Sequence, residues 1–326
     1  MEAERFLVEH QGAKYDILNF LKNHPGGYNY VEPSKDKDVA NKMFKSHHSK
    51  SAFYLLREYK VGGRDEKNNN GEDDLEKLVD WNKPILSQVG SLKSKYNEWV
   101  TSPVDRNLRL FENPFLESLT ITPWYVVPIV WIPVLSYIIY RGSCNYVDIT
   151  GDSSPGLPTL MYVCFGIVLW TFIEYCLHRW VFHLEPSGSS ELLIYFHFAI
   201  HGLHHKVPFD SNRLVFPPVP AALIVYVLYS ILKYILPASI LLLVLGGGIL
   251  GYVIYDMIHF YLHYGTPNEG TILYTMKRYH NQHHFVHHSS GFGISNMYWD
   301  KVFGTVISLR KLAFGIKWRT EKYNSS

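Results

Sequence analysis

Four apolar segments punctuate the chain beyond its first third, at roughly Leu119 to Tyr140, Leu160 to Ile173, Pro217 to Leu232 and Ala238 to Tyr255. Each is near or somewhat short of the about 20 residues that a helix needs to cross a hydrocarbon core. Four crossings arranged as two hairpins are the simplest reading. Arg141 to Pro158 is a short polar connection with little positive charge, and Pro237 punctuates the second pair. Lysine and arginine are frequent instead at 93 to 109, at Arg179, Lys206 and Arg213, and from Lys277 to Lys322, which the positive-inside bias places in the cytosol. Glu2, Glu4 and Arg5 precede any apolar run, unlike the start of a cleaved secretory signal, so the amino-terminal region is expected to be cytosolic too.

This topology gives meaning to the histidines. Thirteen of the seventeen lie between His178 and His288, in groups separated by the apolar segments. With a cytosolic start, the second crossing delivers His178 and His183 to the cytosolic face. The fourth delivers His259 and His263 to that same face, and the remaining groups lie in the loops beyond. Residues at i and i+4 share a helix face, as do the i, i+3, i+4 sets His201/His204/His205 and His280/His283/His284, so each set is expected to aim at a common centre. His178 and His183 are five apart and do not share a face of a regular helix. They are expected either to span a helix end or to serve different metals. These ten imidazoles are too many for one ion and natural for two, at about five each. His197, His287 and His288 are read as surplus. Asp256, just before His259, is costly at a membrane boundary without a partner and is expected to accept a hydrogen bond from a ligand histidine. Cys144, Cys164 and Cys176 form no CxxC pair, so any metal sits on nitrogen.

The first third is polar and charged, and a net charge of +2 gives no reason to expect nucleic acid as a partner. Residues 1 to 63 read as a small α+β module, with a strand at Leu7 and Val8, a turn at Gln11 to Ala13, a second short element from Tyr15 to Leu21, and helical periodicity around Val39, Met43, Phe53 and Leu56. Lys14-Tyr15-Asp16, Phe20-Leu21, His24-Pro25-Gly26-Gly27 and His48-Ser49, 24 residues beyond His24, resemble cytochrome b5. The resemblance implies that His24 and His48 bind haem b from opposite sides, leaving an electron carrier with no open position for O2. Glu32-Pro33-Ser34-Lys35 departs from the glycine-rich stretch usual in that family. His10 and His47 are read as surface residues.

Residues 64 to 77 hold little to bury and read as a flexible linker. Residues 78 to 118, with Trp81, Tyr96 and Trp99 among lysines and arginines, read as a segment lying on the cytosolic membrane surface. Residues 119 to 326 form the membrane-embedded domain. The expected class is therefore a mainly α, multi-pass membrane protein of about four transmembrane helices with a cytosolic polyhistidine cap, preceded by a small α+β module.

The cap carries a second resemblance. His178-Arg179-Trp180-Val181-Phe182-His183, His201-Gly202-Leu203-His204-His205, Tyr255-Asp256 with His259 and His263, His280-Asn281-Gln282-His283-His284, Ser290-Gly291-Phe292-Gly293 and Trp299-Asp300 look like the fatty acid hydroxylase and sterol desaturase superfamily. The fused module, the Asp80-Trp81 to Trp99 stretch, and Asp210 with Arg213-Leu214-Val215 resemble its fatty acid 2-hydroxylase family. The resemblance implies O2-dependent hydroxylation at carbon 2 of a long-chain fatty acid or acyl lipid, supplying 2-hydroxy sphingolipids, at a di-iron centre. Zinc can occupy such a site in purified protein. It also implies electrons from a cytosolic NAD(P)H-dependent reductase through the haem, and a multi-pass place in the endoplasmic reticulum membrane with both termini and the metal site cytosolic. Tyr255 and Asp256 are expected to orient the substrate or a ligand. The competing readings are a sterol or sphingoid-base oxidase of the same superfamily and a non-catalytic membrane haem and zinc binder.

Overall fold

The computed structural model describes residues 4–63, 75–186, 190–312 and 314–318. At the amino terminus, β1 (Leu7–His10), β2 (Ala13–Asp16) and β3 (Lys60–Gly63) form an antiparallel sheet in the order β1-β2-β3. Gln11 and Gly12 both take positive φ, the geometry a two-residue hairpin requires. Two helices, α1 (Ala40–Lys45) and α2 (Lys50–Leu56), close the module, and the Ser49 side chain accepts from the Ala52 amide to start α2. Phe6, Val8, Tyr15, Ile17, Leu21 and Val39 form its core.

The expected linker lies outside the described residues up to position 74, but its last residues are packed. Leu75–Leu78 form a 3-10 turn with Leu75 and Glu76 buried. In the expected membrane-surface segment, the aromatics Tyr96 and Trp99 face inward. Tyr96 and Trp99 are fully buried and join Leu75, Ile85, Val89, Leu108 and Leu110 in one core with Ile194, Phe198 and Leu203. Aromatics and cations before an apolar run look alike in sequence whether they face lipid or a neighbouring helix. Here they cover the helix that carries His201, His204 and His205.

The membrane part is built on α3 (Val126–Thr150), α4 (Gly156–Cys176, continued by a π turn at Leu177–Phe182) and α7 (Ala238–Tyr264). These three are long and apolar enough to cross a membrane. The third expected crossing is shorter, since α6 (Pro218–Leu232) has 15 residues, about 22 Å of helix. Even so, the chain passes from one end of the bundle to the other between Phe216 and Ala238. The Phe216 amide bonds Asp256 near the end of α7, while the Ala238 carbonyl accepts from Asn145 at the far end of α3. Large apolar side chains such as Ile129, Val168 and Leu223 face outward, as contact with lipid requires.

Helix α7 runs antiparallel to α3 and parallel to α4, and small residues set its spacing. A Cβ added at Gly247 would lie 2.1 Å from the Val163 carbonyl oxygen, and one at Gly166 would lie 2.2 Å from that of Val244. The two backbones therefore touch, the close approach that small residues permit between membrane helices. Because α4 and α7 are parallel and in contact, the histidines at their ends are delivered side by side.

Two cations counted as positive-inside charges have other roles. Lys206 is fully buried and donates to Glu76 at 2.7 Å, to the Ser102 carbonyl at 2.6 Å and to the Trp99 carbonyl at 3.0 Å. Lys277 is buried and donates to the Leu262 and His263 carbonyls, closing the last turn of α7.

Candidate metal centre

Four histidine-bearing stretches meet at one end of the bundle. The first is the π turn after α4. The His183 amide bonds the His178 carbonyl at 3.0 Å, so two residues five apart face the same way. The pair spans the end of a helix, and both rings fall in the same group. The second stretch is α5 (Glu191–His197), a π turn at Phe198–Gly202 and the helix Leu203–Lys206, which present His201, His204 and His205. The end of α7 gives His259 and His263, and α8 (Ile272–Phe285) gives His280, His283 and His284.

Nine of these rings gather into two groups. One ring nitrogen each of His178, His183, His201 and His283 lie within 4.8 Å of one another, and so do those of His204, His259, His263, His280 and His284. The i, i+3, i+4 triplets do not each serve one centre, as the spacing had suggested. His201 joins the first group and His204 the second, while His283 joins the first and His280 and His284 the second. Three residues along a helix rotate a side chain about 60° one way and four about 40° the other, so each triplet straddles two neighbouring points. His205 bridges them. Its Nε2 lies 3.1 Å from that of His201, and its ring stacks on His284 at 4.3 Å.

The nitrogens are arranged as a metal needs them. The Nε2 of His201 lies 3.1 Å from those of His178, His183 and His205, and that of His259 lies 3.1 Å from those of His204 and His280. Ligands about 2.1 Å from an ion and at right angles around it lie about 3 Å apart. A neutral imidazole has one N–H, so one nitrogen cannot satisfy three such neighbours by hydrogen bonding. Both ring nitrogens of His284 are buried without a hydrogen-bond partner among the described residues, and so is Nε2 of His283. Burial first, and then the charge of neighbouring histidines, hold His183, His201, His204, His205, His280 and His284 well below the ordinary imidazole value. They are neutral donors at neutral pH, as metal ligation requires. The residues present fit two ions.

The loop after α8 orients two of the rings. His178 Nδ1 donates to the Phe292 carbonyl at 2.6 Å and His283 Nδ1 to that of Ser290 at 2.8 Å, which turns Nε2 of each toward the centre. Asp300, at the start of α9 (Tyr298–Phe303), accepts from the amides of Phe292 and Gly293. Glu174 accepts from the amides of Ile294 and Ser295 and from the Ser295 hydroxyl. Sequence reasoning missed Glu174. Its signal was a lone carboxylate inside an apolar span, four residues before His178.

The remaining candidates divide. Asp256 bonds the Phe216 amide and not a ligand histidine, because it points along α7 toward the start of α6. Tyr255 stacks on His259 at 6.0 Å and borders a small apolar cavity with Trp170, Phe182 and Phe216. Of the surplus histidines, His197 lies 2.5 Å from the Tyr96 hydroxyl, His287 is exposed, and His288 sits 5.9 Å from the His205 ring.

In the amino-terminal module, His24 and His48 face each other across a cavity of about 460 Å³ with ring centroids 6.1 Å apart. Two bonds of about 2 Å to a central iron plus the ring radii account for that separation. His48 Nδ1 lies 3.1 Å from the Met43 carbonyl, leaving Nε2 for a ligand bond. A Cβ at Gly26 would come within 2.9 Å of the His24 ring, so the glycine is what lets that ring sit against the turn. Burial and the neighbouring His48 push His24 down to about 3, and the pair fits haem.

Fold and site together define a mainly helical protein with three helices long and apolar enough to cross a membrane and a histidine cluster that could hold metal, joined to a small module with a facing histidine pair. Residues 163–305 match the family described as Fatty acid hydroxylase, and residues 2–64 match the Cytochrome b5-like Heme/Steroid binding domain. The chain is 41% identical to a fatty acid 2-hydroxylase of Macaca fascicularis over 91% of its length and 90% of the relative's. It is 39% identical to a dihydroceramide fatty acyl 2-hydroxylase of Arabidopsis thaliana over 72% of its length and 96% of the relative's. The hydroxylase domain visible in a structure of full-length scs7p superposes with a TM-score of 0.63 at 34% identity, covering 71% of this chain and 86% of that one. The chain belongs to the fatty acid hydroxylase family and is an enzyme of that family, with a cytochrome b5-like domain at its amino terminus.

Proposed function

We propose that this chain hydroxylates carbon 2 of long-chain fatty acyl groups with O2, supplying 2-hydroxy sphingolipids from the endoplasmic reticulum membrane. The observation that carries the reading is the pair of adjoining histidine groups at one end of the bundle. His178, His183, His201 and His283 would hold one iron, and His204, His259, His263, His280 and His284 the other, with His205 between them. An unactivated C–H bond yields only to an oxidant made from O2 and electrons, which redox-active iron supplies in a nitrogen-rich site and zinc does not.

This chain's own residues position the reaction. Phe292, Ser290, Asp300 and Glu174 fix the ligand rings. Tyr255, Trp170, Phe182 and Phe216 offer an apolar wall beside His259, suited to an acyl tail entering from the bilayer. His24 and His48 would hold haem b. Helix α8 stands between the haem cavity and the metal groups, with Asn281, Gln282 and Phe285 lining the cavity while His280, His283 and His284 point into the groups. That placement supports electron delivery from a cytosolic NAD(P)H-dependent reductase by way of the module, with both termini and the metal site cytosolic.

The test supplies membranes containing the protein with a long-chain fatty acid, O2 and a reductant, and reads the 2-hydroxy acid by mass spectrometry. A parallel arm supplies a ceramide. Product that forms and is lost in His201→Ala supports the reading, and product at the wild-type level in that variant sinks the metal assignment. Undiminished turnover in His24→Ala sinks the electron route.

A further inference from the structure

The cavity between His24 and His48 is not enclosed by the amino-terminal module alone. Arg278, Asn281, Gln282 and Phe285 of α8 line it, as do Arg310 and Lys311 of the stretch that follows α9. The module is held in place from two sides. On one, Arg106 forms a two-pronged ion pair with Glu58 at 2.5 and 2.7 Å, the Tyr59 hydroxyl donates to Asp105 at 2.6 Å, and Tyr54 donates to Glu76 at 2.7 Å. On the other, the Tyr28 amide donates to the Lys317 carbonyl at 2.6 Å, Asn29 exchanges hydrogen bonds with Gly315 and Lys317, and Tyr30 stacks on Phe314 at 4.3 Å. Gly27 has φ of 77°, and a Cβ there would lie 2.3 Å from Ile316. The His-Pro-Gly-Gly turn therefore presses on the carboxy-terminal stretch as well as on the cavity.

The lining is one-signed. Lys42, Lys45, Arg278, Arg310 and Lys311 line the cavity, and among the described residues no aspartate or glutamate does. Lys42 is committed inside the module, donating to Ser34 and to the Tyr30 carbonyl. Arg278 spends one amino group on the Arg310 carbonyl at 2.5 Å and pairs with no carboxylate among the described residues, and neither does Lys311. Cations that meet no carboxylate among the described residues suit a dianionic occupant, because guanidinium and ammonium groups form their strongest hydrogen bonds with carboxylates. Haem carries two propionate carboxylates.

We propose that the haem site is shared between the two parts of the chain, with Arg278 and Lys311 of the hydroxylase part pairing with the haem propionates. The inference rests on haem ligation by His24 and His48. It adds that the hydroxylase part contributes to haem affinity and potential, and fixes the haem against the helix that carries three of the metal histidines.

The test uses the full-length protein freed of haem and titrated with hemin and with hemin dimethyl ester, which keeps the iron and loses both charges. The wild type should bind hemin about tenfold more tightly than the ester. Arg278→Gln/Lys311→Gln should erase that preference, Arg278→Lys should retain it, and the low-spin Soret spectrum should persist throughout. The midpoint potential should fall in the double variant, because removing positive charge favours the ferric state. Lys311→Gln alone, at an exposed position, gives the same reading at reduced size if the double variant folds poorly. An unchanged preference and potential in variants that bind hemin would overturn the shared site. A low-spin spectrum that survives His24→Ala and His48→Ala would instead overturn the haem ligation on which it rests.

Discussion

His178 Nδ1 lies 2.6 Å from the carbonyl oxygen of Phe292, and Asp300 accepts the Gly293 amide at 2.8 Å, so a buried carboxylate sets the angle of a metal-facing ring through one peptide unit. Asp300→Asn puts an NH2 group where an oxygen now accepts a backbone N–H. Non-haem metal affinity should fall about ten- to a hundredfold, with the haem spectrum unchanged. Glu174→Gln, acting on Ile294 and Ser295, should behave alike. Metal content after dialysis against a graded chelator reads both, and retention equal to wild type contradicts the role given to this loop.

The close passage of α4 and α7 has its own consequence. Gly247→Val adds carbons where the Val163 carbonyl oxygen already stands 2.1 Å from a Cβ position. The helices must part, carrying His178 and His183 away from His259 and His263. Purified Gly247→Val should be metal-poor and less heat-stable, whereas Gly248→Ala, whose added Cβ meets its nearest neighbour at 3.9 Å, should be close to wild type.

Lys206 and Glu76 form a buried pair that also receives the Tyr54 hydroxyl. Lys206→Met removes the buried cation bonded to Glu76, and breaking such a pair costs about 3–5 kcal/mol. Lys206→Met/Glu76→Gln should recover much of it. Melting of the two variants in detergent decides, and equal losses in single and double variants would show that the pair itself is not the cause.

His197 lies against Tyr96 and belongs to neither histidine group. Burial pushes it down to about 4, while an unfolded chain holds a histidine near 6.5. Between those values the unfolded state binds more protons, so this residue's contribution to stability is intact above pH 6.5 and is lost as pH falls toward 4. His197→Gln removes that loss. Relative to wild type it should gain stability on acidification, by at most about 3 kcal/mol, while keeping its non-haem metal at neutral pH. A wild-type difference that does not change with pH contradicts this.

Much of the site could be read from residue spacing, and the misreadings have physical causes. The apolar intervals between histidine groups gave the return trips that bring the groups to one end, and α4 and α7 deliver them there. The pair His178 and His183 defeated a rule for regular helices, because a π turn restores a common face at a spacing of five. The triplets were assigned to single centres, because helix periodicity gives a direction from the axis and not the position of the neighbouring helix. The burial of Trp99 and Tyr96 was not legible, since lipid and a protein core draw on the same side chains. Glu174 went unseen because its partners, Ile294 and Ser295, lie 120 and 121 positions away and are backbone amides that no side-chain pattern announces. Asp256 was given a ligand partner for the same reason, its contact being the Phe216 amide.

The central claim is that ten histidines hold two ions beside each other, and metal counting tests it most directly. Iron-loaded protein should contain two non-haem irons per chain, a number unchanged by His287→Ala. It should fall in both His201→Ala and His259→Ala, one from each group. A wild-type count of one, or two irons retained in both of these variants, would contradict the account.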